Sequence, residues 1–187
     1  MIIRQAEKKD VKEAIPLLIM ALDEMKTVFS GYEDEEKIIS KYEEFFLLEE
    51  GRYSYKNFGI CHADGEVKGI VVAYYSGEGK KLDEIILKEL HKTGSQRKEF
   101  EKEFYDDEYY IDSVAVKPDY QGKGTAKKLI KFIEDNGKKL GYNKVSLIVH
   151  IDKEKAYSIY KKIGYEEDSK IVVYGETYRH MVKKIGN

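Results

Sequence analysis

The residues with the most legible chemistry lie between Tyr109 and Ala126. Val114-Ala115-Val116 leads into a turn containing Pro118, then to Gly122 and Gly124, then to apolar residues at helical spacing, Ala126, Leu129, Ile130 and Ile133. A glycine loop feeding a helix presents several backbone N–H groups that have no intrahelical partner, at the positive end of the helix dipole. Those conditions hold a phosphate or diphosphate. Glycine at 122 and 124 lets the backbone approach such a group without a Cβ in the way. The preceding residues alternate with period two, which predicts a strand with Tyr110, Asp112, Val114 and Val116 on one face and Ile111, Ser113 and Ala115 on the other. Pro118, with no N–H for a ladder, ends it.

Two nucleotide motifs fail on the letters. A P-loop requires glycine five residues before Gly122 and Ser or Thr after Lys123, but Lys117 and Gly124 stand there. A dinucleotide loop requires glycine at 127, where Lys127 stands, and no acidic residue closes a second strand at the right distance. What fits is Gln121-x-x-Gly124-x-Ala126 directly after Val114-Ala115-Val116, with Ala156-x-x-x-Tyr160-x-x-x-Gly164-Tyr165 further on. This pair of motifs, in this order, resembles the GNAT family of N-acetyltransferases, and the resemblance runs from Ile2 to Lys184 apart from one insertion.

The resemblance implies a mixed α/β fold with a mostly antiparallel sheet flanked by helices, and acetyl-CoA as acyl donor. It assigns Gln121, Gly122, Lys123, Gly124, Thr125 and Ala126 to the pyrophosphate of the coenzyme. It sets the backbone of Val114, Ala115 and Val116 against the pantetheine arm as an added strand would lie, with the Val114 N–H polarising the thioester carbonyl. Tyr160 becomes the general acid that protonates the leaving thiolate. Lys153 stands three residues before Ala156, where the family often has Asn; it stays a coenzyme candidate without the usual amide. Asp112, on the face expected for Val114, is the candidate general base, direct or through a water, with Glu108, His150 and His180 in reserve.

Positioning this site requires a sheet and its helices. Ile2 to Gln5 reads as a first strand, and Asp10 as the N-cap of a helix striped by Val11, Ala14, Ile15, Leu18, Leu22 and Met25, bent at Pro16 and broken at Gly31. Glu33-Asp34-Glu35-Glu36 opens a second helix. Tyr53–His62 and Val67–Tyr75 form a hairpin around Asp64-Gly65. A charged helical insertion over about 80–107 precedes the central strand. After the glycine loop and its helix come a buried strand, Val145 to His150, a short helix ending at Gly164, and the final strands Ile171–Tyr174 and Tyr178–Lys184. The whole reads as a single domain over 1–187.

Composition narrows the function classes. The chain has 33 basic and 35 acidic residues in interspersed order, a net charge of -2, which offers nucleic acid no basic patch. No apolar run approaches the roughly 20 residues that span a bilayer, so no membrane partner is expected. The charged N-terminus does not read as a signal peptide, and the single cysteine, Cys61, points to a cytoplasmic setting. His62, His91, His150, His180 and Cys61 lack metal-ligand spacing, so no metal is expected. For the acceptor, Tyr32, Glu33 and Tyr178 are the candidate contacts, with Asp34, Glu35, Tyr174 and His180 nearby in the same elements; acids and tyrosines suit a cationic amine. A CoA-binding sensor or interaction module without turnover is the competing class. The insertion has two readings, packing on a second copy in a homodimer or lidding the acceptor cleft, and the sequence leaves both open.

Overall fold

The computed structural model describes residues 1–186. Its elements are β1 (Ile2–Gln5), α1 (Val11–Leu22), α2 (Met25–Ser30), α3 (Glu35–Leu47), β2 (Phe58–Ala63), β3 (Glu66–Tyr75), α4 (Gly79–Lys92), β4 (Tyr109–Val116), α5 (Thr125–Lys139), β5 (Lys144–His150), α6 (Glu154–Lys162), β6 (Glu166–Val173) and β7 (Glu176–Lys184). The strands form one seven-stranded sheet in the order β1-β2-β3-β4-β5-β7-β6. Neighbours are antiparallel except β4 and β5. The fold expected from the sequence is therefore the fold observed.

Two apolar layers sandwich the sheet. On one face α1, α2, α3 and α4 bury Ala14, Ile15, Leu18, Phe29, Ile38, Phe46, Ile86 and Leu90 against Phe58, Ile60, Ile70 and Val72. On the other face Leu129, Ile130 and Ile133 of α5 pack on Val71, Ala73, Ile111, Val145 and Leu147, with Ala156 and Tyr160 of α6 and the following Ile163 added. Burying a large aliphatic or aromatic side chain contributes about 1.5–3 kcal/mol, so the helical stripes read from the sequence are what fasten the helices.

Two features of β4 shape the site. The first is its pairing with β5. Only Tyr109↔Val145 and Tyr110↔Ser146 face each other, and beyond them the two strands separate. The second is a β-bulge. Val72 pairs with Ser113 but the next residue, Ala73, pairs with Ile111, so Asp112 is the extra residue. An unpaired residue resets the alternation of side chains. Ile111, Val114 and Val116 all pack on the α5 side, whereas Tyr110 packs with Tyr74 and Phe104 on the opposite side. Asp112 lies with Tyr110, its carboxylate accepting from the Tyr74 hydroxyl at 2.7 Å. The expectation that Asp112 and Val114 share a face is corrected by this bulge.

Other local expectations shift as well. The first helix runs through Pro16 but stops at Asp23, which has φ 52°, and α2 is a separate piece. Asp10 precedes α1 without capping it, because its carboxylate takes both guanidinium nitrogens of Arg4 at 2.8 Å and the N–H of Glu7 at 2.7 Å. Asp34 is the working cap of α3, accepting from Lys37 N–H at 3.0 Å. Residues 53–57 precede β2 and are not part of it. β6 begins at Glu166, five residues earlier than its apolar run implies, and turns into β7 through Tyr174-Gly175. In the insertion, helix covers only Gly79–Lys92. Thr93-Gly94 ends it, Gly94 having φ 90°, and the chain from Ser95 to Asp107 runs without helix. Phe100 and Phe104 keep an i,i+4 spacing but drop into different clusters, which holds this strap across the sheet face.

Candidate active site

The loop before α5 is built as an open cradle. Gly122 and Gly124 have φ of 73° and 76°, and a Cβ placed on either would meet no atom within 4 Å. Their left-handed backbone favours glycine. Among the described residues, the N–H groups of Gly122 through Lys127 have no acceptor within the protein. The loop is braced from below: Gln121 Nε2 donates to Val116 O at 3.1 Å and Thr125 Oγ1 to Tyr120 O at 3.1 Å. Tyr120 bonds Asp64 and carries the Lys123 ammonium over its ring at 4.6 Å and that of Lys68 at 5.2 Å. A Cβ-free hollow lined by uncommitted N–H groups at a helix N-terminus fits a diphosphate. The Gln121 amide is committed to Val116 rather than directed over the loop.

The second part is the free edge of β4. Lys117 N–H donates back to Lys68 O of β3 at 2.8 Å. Alternation along a strand then turns the N–H and C=O of Val116 and Val114 to the other side, into the gap where β5 has separated. The N–H groups of both and the carbonyl of Val114 can pair with an extended ligand, while the Val116 carbonyl already accepts from Gln121 Nε2. Tyr160 approaches the same gap from α6 and packs in one cluster with Val114. Burial pushes its hydroxyl up to about 12, and among the described residues that hydroxyl has no hydrogen-bond partner. Its ring meets Tyr165 edge-on at 6.0 Å. Lys153, exposed before α6, anchors the turn by its backbone, donating to His150 O at 2.9 Å; its side chain makes no cap.

On the opposite face, under the strap, sits a buried charge cluster that no sequence pattern announced. Arg52, 1% exposed, has Nε 3.1 Å from Asp83 Oδ1 and 3.7 Å from Asp112 Oδ2, and Nη1 3.1 Å from Glu103 Oε1. Its guanidinium lies over the rings of Phe29 at 4.9 Å and Tyr74 at 5.6 Å. Tyr110 donates to Glu103 at 2.9 Å and Ser113 to Asp112 at 2.8 Å. Burial pushes the carboxyls of Asp83 and Glu103 up, with Arg52 opposing it. Arg52 comes from the loop before β2, Asp83 from α4, Glu103 from the strap and Asp112 from the bulge, so only the folded chain brings them together. The one sequence signal was an arginine between Gly51 and Tyr53 beside an apolar strand.

The strap ties this cluster to the last hairpin. Glu101 Oε2 accepts from Tyr174 N–H at 2.5 Å, and Tyr105 shares a 3.2 Å hydrogen bond with Ser169. Burial raises the hydroxyls of Tyr174 and Tyr178 from their ordinary value, and the charge of Glu103 adds to it. At the strap's end, fully buried His180 is held between Glu108 at 3.0 Å and Asp168 at 2.6 Å. Ionised carboxylates only accept, so this pair of partners favours the imidazolium, which donates from both ring nitrogens. Burial alone would lower the imidazole pKa, but the two hydrogen bonds raise it above 6.5. His150 bonds Glu176 at 3.0 Å near the surface. Tyr32 is half-buried on the α1–α4 layer with Lys37 over its ring, and Glu33 is exposed; no hydrogen bond or ring contact joins either to Asp112, Tyr160 or Tyr178. Among the described residues no group of three or more His, Cys, Asp or Glu side chains could hold a metal ion, and no helix is long and apolar enough to cross a membrane.

Comparison with known proteins agrees with this geometry. A family profile described as "Acetyltransferase (GNAT) family" matches residues 21–165. No curated protein matches. Among solved structures, one described as an acetyltransferase is 26% identical, covers 99% of this chain and 100% of its own, and has a TM-score of 0.83. An N-acetyltransferase from Staphylococcus aureus Mu50 is 25% identical over 97% of this chain and all of its own, also at 0.83. The PaiA N-acetyltransferase of Thermoplasma acidophilum, solved with coenzyme A, shares the fold at 19% identity, 98% coverage of each chain and a TM-score of 0.56. With the cradle, the open strand edge and a profile spanning most of its length, the chain belongs to the GNAT family and is an acetyltransferase.

Proposed function

We propose that the protein transfers an acetyl group from acetyl-CoA to a primary amine on a cationic acceptor, by direct attack and without a covalent enzyme intermediate. The observation that carries this is the free edge of β4 at Val114 and Val116, open because β5 parts from it after Tyr110, with the loop cradle at one end and Tyr160 alongside. The coenzyme's diphosphate lies on the N–H groups of Gly122 to Ala126 and its pantetheine arm along β4. Val114 N–H stabilises the developing oxyanion. As the C–N bond forms and the C–S bond breaks, Tyr160 gives its proton to the sulfur. A hydroxyl with a pKa of about 12 stays protonated throughout the working range, as an acid must.

The amine comes from the other face of the sheet. Asp112 stands there, and we assign it to take the ammonium proton, directly or through a water. Its two oxygens already accept from Tyr74 and Ser113, which fixes the carboxylate for that task. A cytoplasmic setting and an acceptor-lidding role for the strap belong to the same reading. The test is thiol release with a panel of amines, alongside acetyl-CoA titration. Tyr160→Phe should lower kcat about 10²-fold or more, the usual worth of a general acid, with acetyl-CoA affinity retained. Asp112→Asn should lose turnover and keep acetyl-CoA binding. Binding with no turnover on any acceptor would leave a coenzyme-binding module instead, and full activity in either variant would remove that residue from the mechanism.

A further inference from the structure

The cluster under the strap is unbalanced. Asp83, Glu103 and Asp112 surround a single guanidinium, Arg52, and each lies within 3.7 Å of it. Their side chains are 16%, 12% and 3% exposed, so solvent does little to screen the surplus. Buried charge without a partner is costly. Arg52 can neutralise one carboxylate; the other two require protons or a further cation. A second observation points to a ligand. The Tyr53 hydroxyl, on a residue 1% exposed, has no hydrogen-bond partner. It is close enough to Asp112, Arg52 and Glu103 for their charges to act on it, and its ring packs edge-on against Phe29, which lies beneath the guanidinium. A buried hydroxyl is ordinarily hydrogen-bonded. The cluster is also walled by aromatic rings: Tyr74 lies against the guanidinium at 5.6 Å and meets the Tyr110 ring at 5.9 Å, and ring faces favour a cation.

We infer that this cluster is the seat for a second ammonium group on the acceptor, so that the acceptor class is a short diamine or longer polyamine. The inference rests on the acyl-transfer reading for which nitrogen is acetylated, but the seat itself does not. Asp112 and Val114 are two residues apart along β4, at most about 7 Å of extended backbone. One nitrogen of such an acceptor reaches the thioester at Val114 while the other sits by Asp83 and Glu103. Glu103 is the strap's own contribution, and Asp83 that of α4, so the insertion is what selects the acceptor. Access requires the strap to lift. Its fastenings to the hairpin, Glu101 with Tyr174 and Tyr105 with Ser169, lie at exposed positions, and the anchors that must yield with them are Phe100 and Phe104.

The test is calorimetric titration of 1,4-diaminobutane and of n-butylamine into the CoA-saturated protein, with thiol release measured for both. Wild-type protein should bind the diamine at least tenfold more tightly than the monoamine. In Glu103→Gln that preference should fall below threefold, with CoA affinity and the thermal melt reporting an intact fold. Asp83→Asn supplies a second variant with the same expected loss if Glu103→Gln folds poorly. Equal binding of the two amines by wild-type protein, or a preference that survives in both variants, would overturn the inference. Thiol release absent with both amines while the binding preference holds would overturn the acyl-transfer reading and support the cation seat.

Discussion

Arg52→Met isolates what the buried guanidinium does for the fold. The residue is 1% exposed and faces Asp83 and Glu103 at 3.1 Å and Asp112 at 3.7 Å. Removing one partner of a buried ion pair costs about 3–5 kcal/mol, because the remaining charge is left without compensation. Against a total stability of about 5–15 kcal/mol that is a large share. At about 2–4 °C per kcal/mol for a chain of this size, the melting temperature should fall by about 6–20 °C. The loss should also depend on pH. Without the guanidinium, burial holds the carboxyls of Asp83 and Glu103 protonated to higher pH in the folded state than in the unfolded chain. A group raised in this way contributes stability at low pH and loses it as pH rises through its folded value. Urea unfolding at pH 5 and pH 8 should therefore show a larger deficit at pH 8. Adding Glu103→Gln and Asp83→Asn to Arg52→Met should restore a good part of it. A deficit below about 1 kcal/mol, the size of a surface ion pair, or one equal at both pH values, would refute the charge-balance argument.

Other perturbations test separate parts. His180→Gln should remove a pH dependence: His180, raised above 6.5, contributes below that pH and loses its contribution as pH rises through its folded value, so wild-type stability relative to the variant should decline toward pH 9 in urea unfolding. Glu108 has the opposite sign. Burial pushes its carboxyl up, but the hydrogen bonds from His180 and Ser146 bring it below 4.5, so its contribution is present above pH 4.5 and fades in more acidic solution. Gly124→Ala should cost about 1–2 kcal/mol for forcing a left-handed backbone on alanine, and its methyl, standing in the open cradle, should weaken acetyl-CoA binding more than it weakens the fold when calorimetry and melting are compared. Glu101→Ala should free the Tyr174 N–H and speed proteolysis within Ser95–Asp107 while leaving the melting temperature nearly unchanged.

The parts of the site legible in the sequence were those made by neighbours in the chain. Gln121 to Ala126 form a loop from six consecutive residues, and Tyr160 is fixed by its helix relative to Gly164. Their letters carry the geometry. Asp112 itself was picked out, but the side it takes was not, because a bulge leaves no trace in period-two alternation: Ile111, Asp112, Ser113 and Val114 read the same with or without it, and the pairing of Ala73 with Ile111 decides. Arg52 escaped because its partners come from positions 83, 103 and 112, brought together only by tertiary packing. The strap escaped for a related reason. Its charged residues and phenylalanines have helical spacing, but Gly94 ends the helix and the contacts of Phe100 and Phe104 with separate clusters outweigh local propensity. The division of the first helix at Asp23 follows from a left-handed aspartate, a conformation this residue type tolerates more readily than most.

The bulge at Asp112 also bears on how such a chain changes over generations. It acts as a phase break within one strand. Residues after it, Val114 and Val116, keep step with the α5 side; residues before it, Tyr110 and Asp112 itself, keep step with the strap. A substitution at Tyr110 or Asp112 can remodel the strap side without shifting the backbone of Val114 and Val116. Deleting Asp112 would restore regular alternation, keep Ile111 and Tyr110 in their present layers and remove only the carboxylate from the strap side. The strand thus carries two independent vocabularies, one for the α5 layer and one for the strap layer, separated by a single unpaired residue.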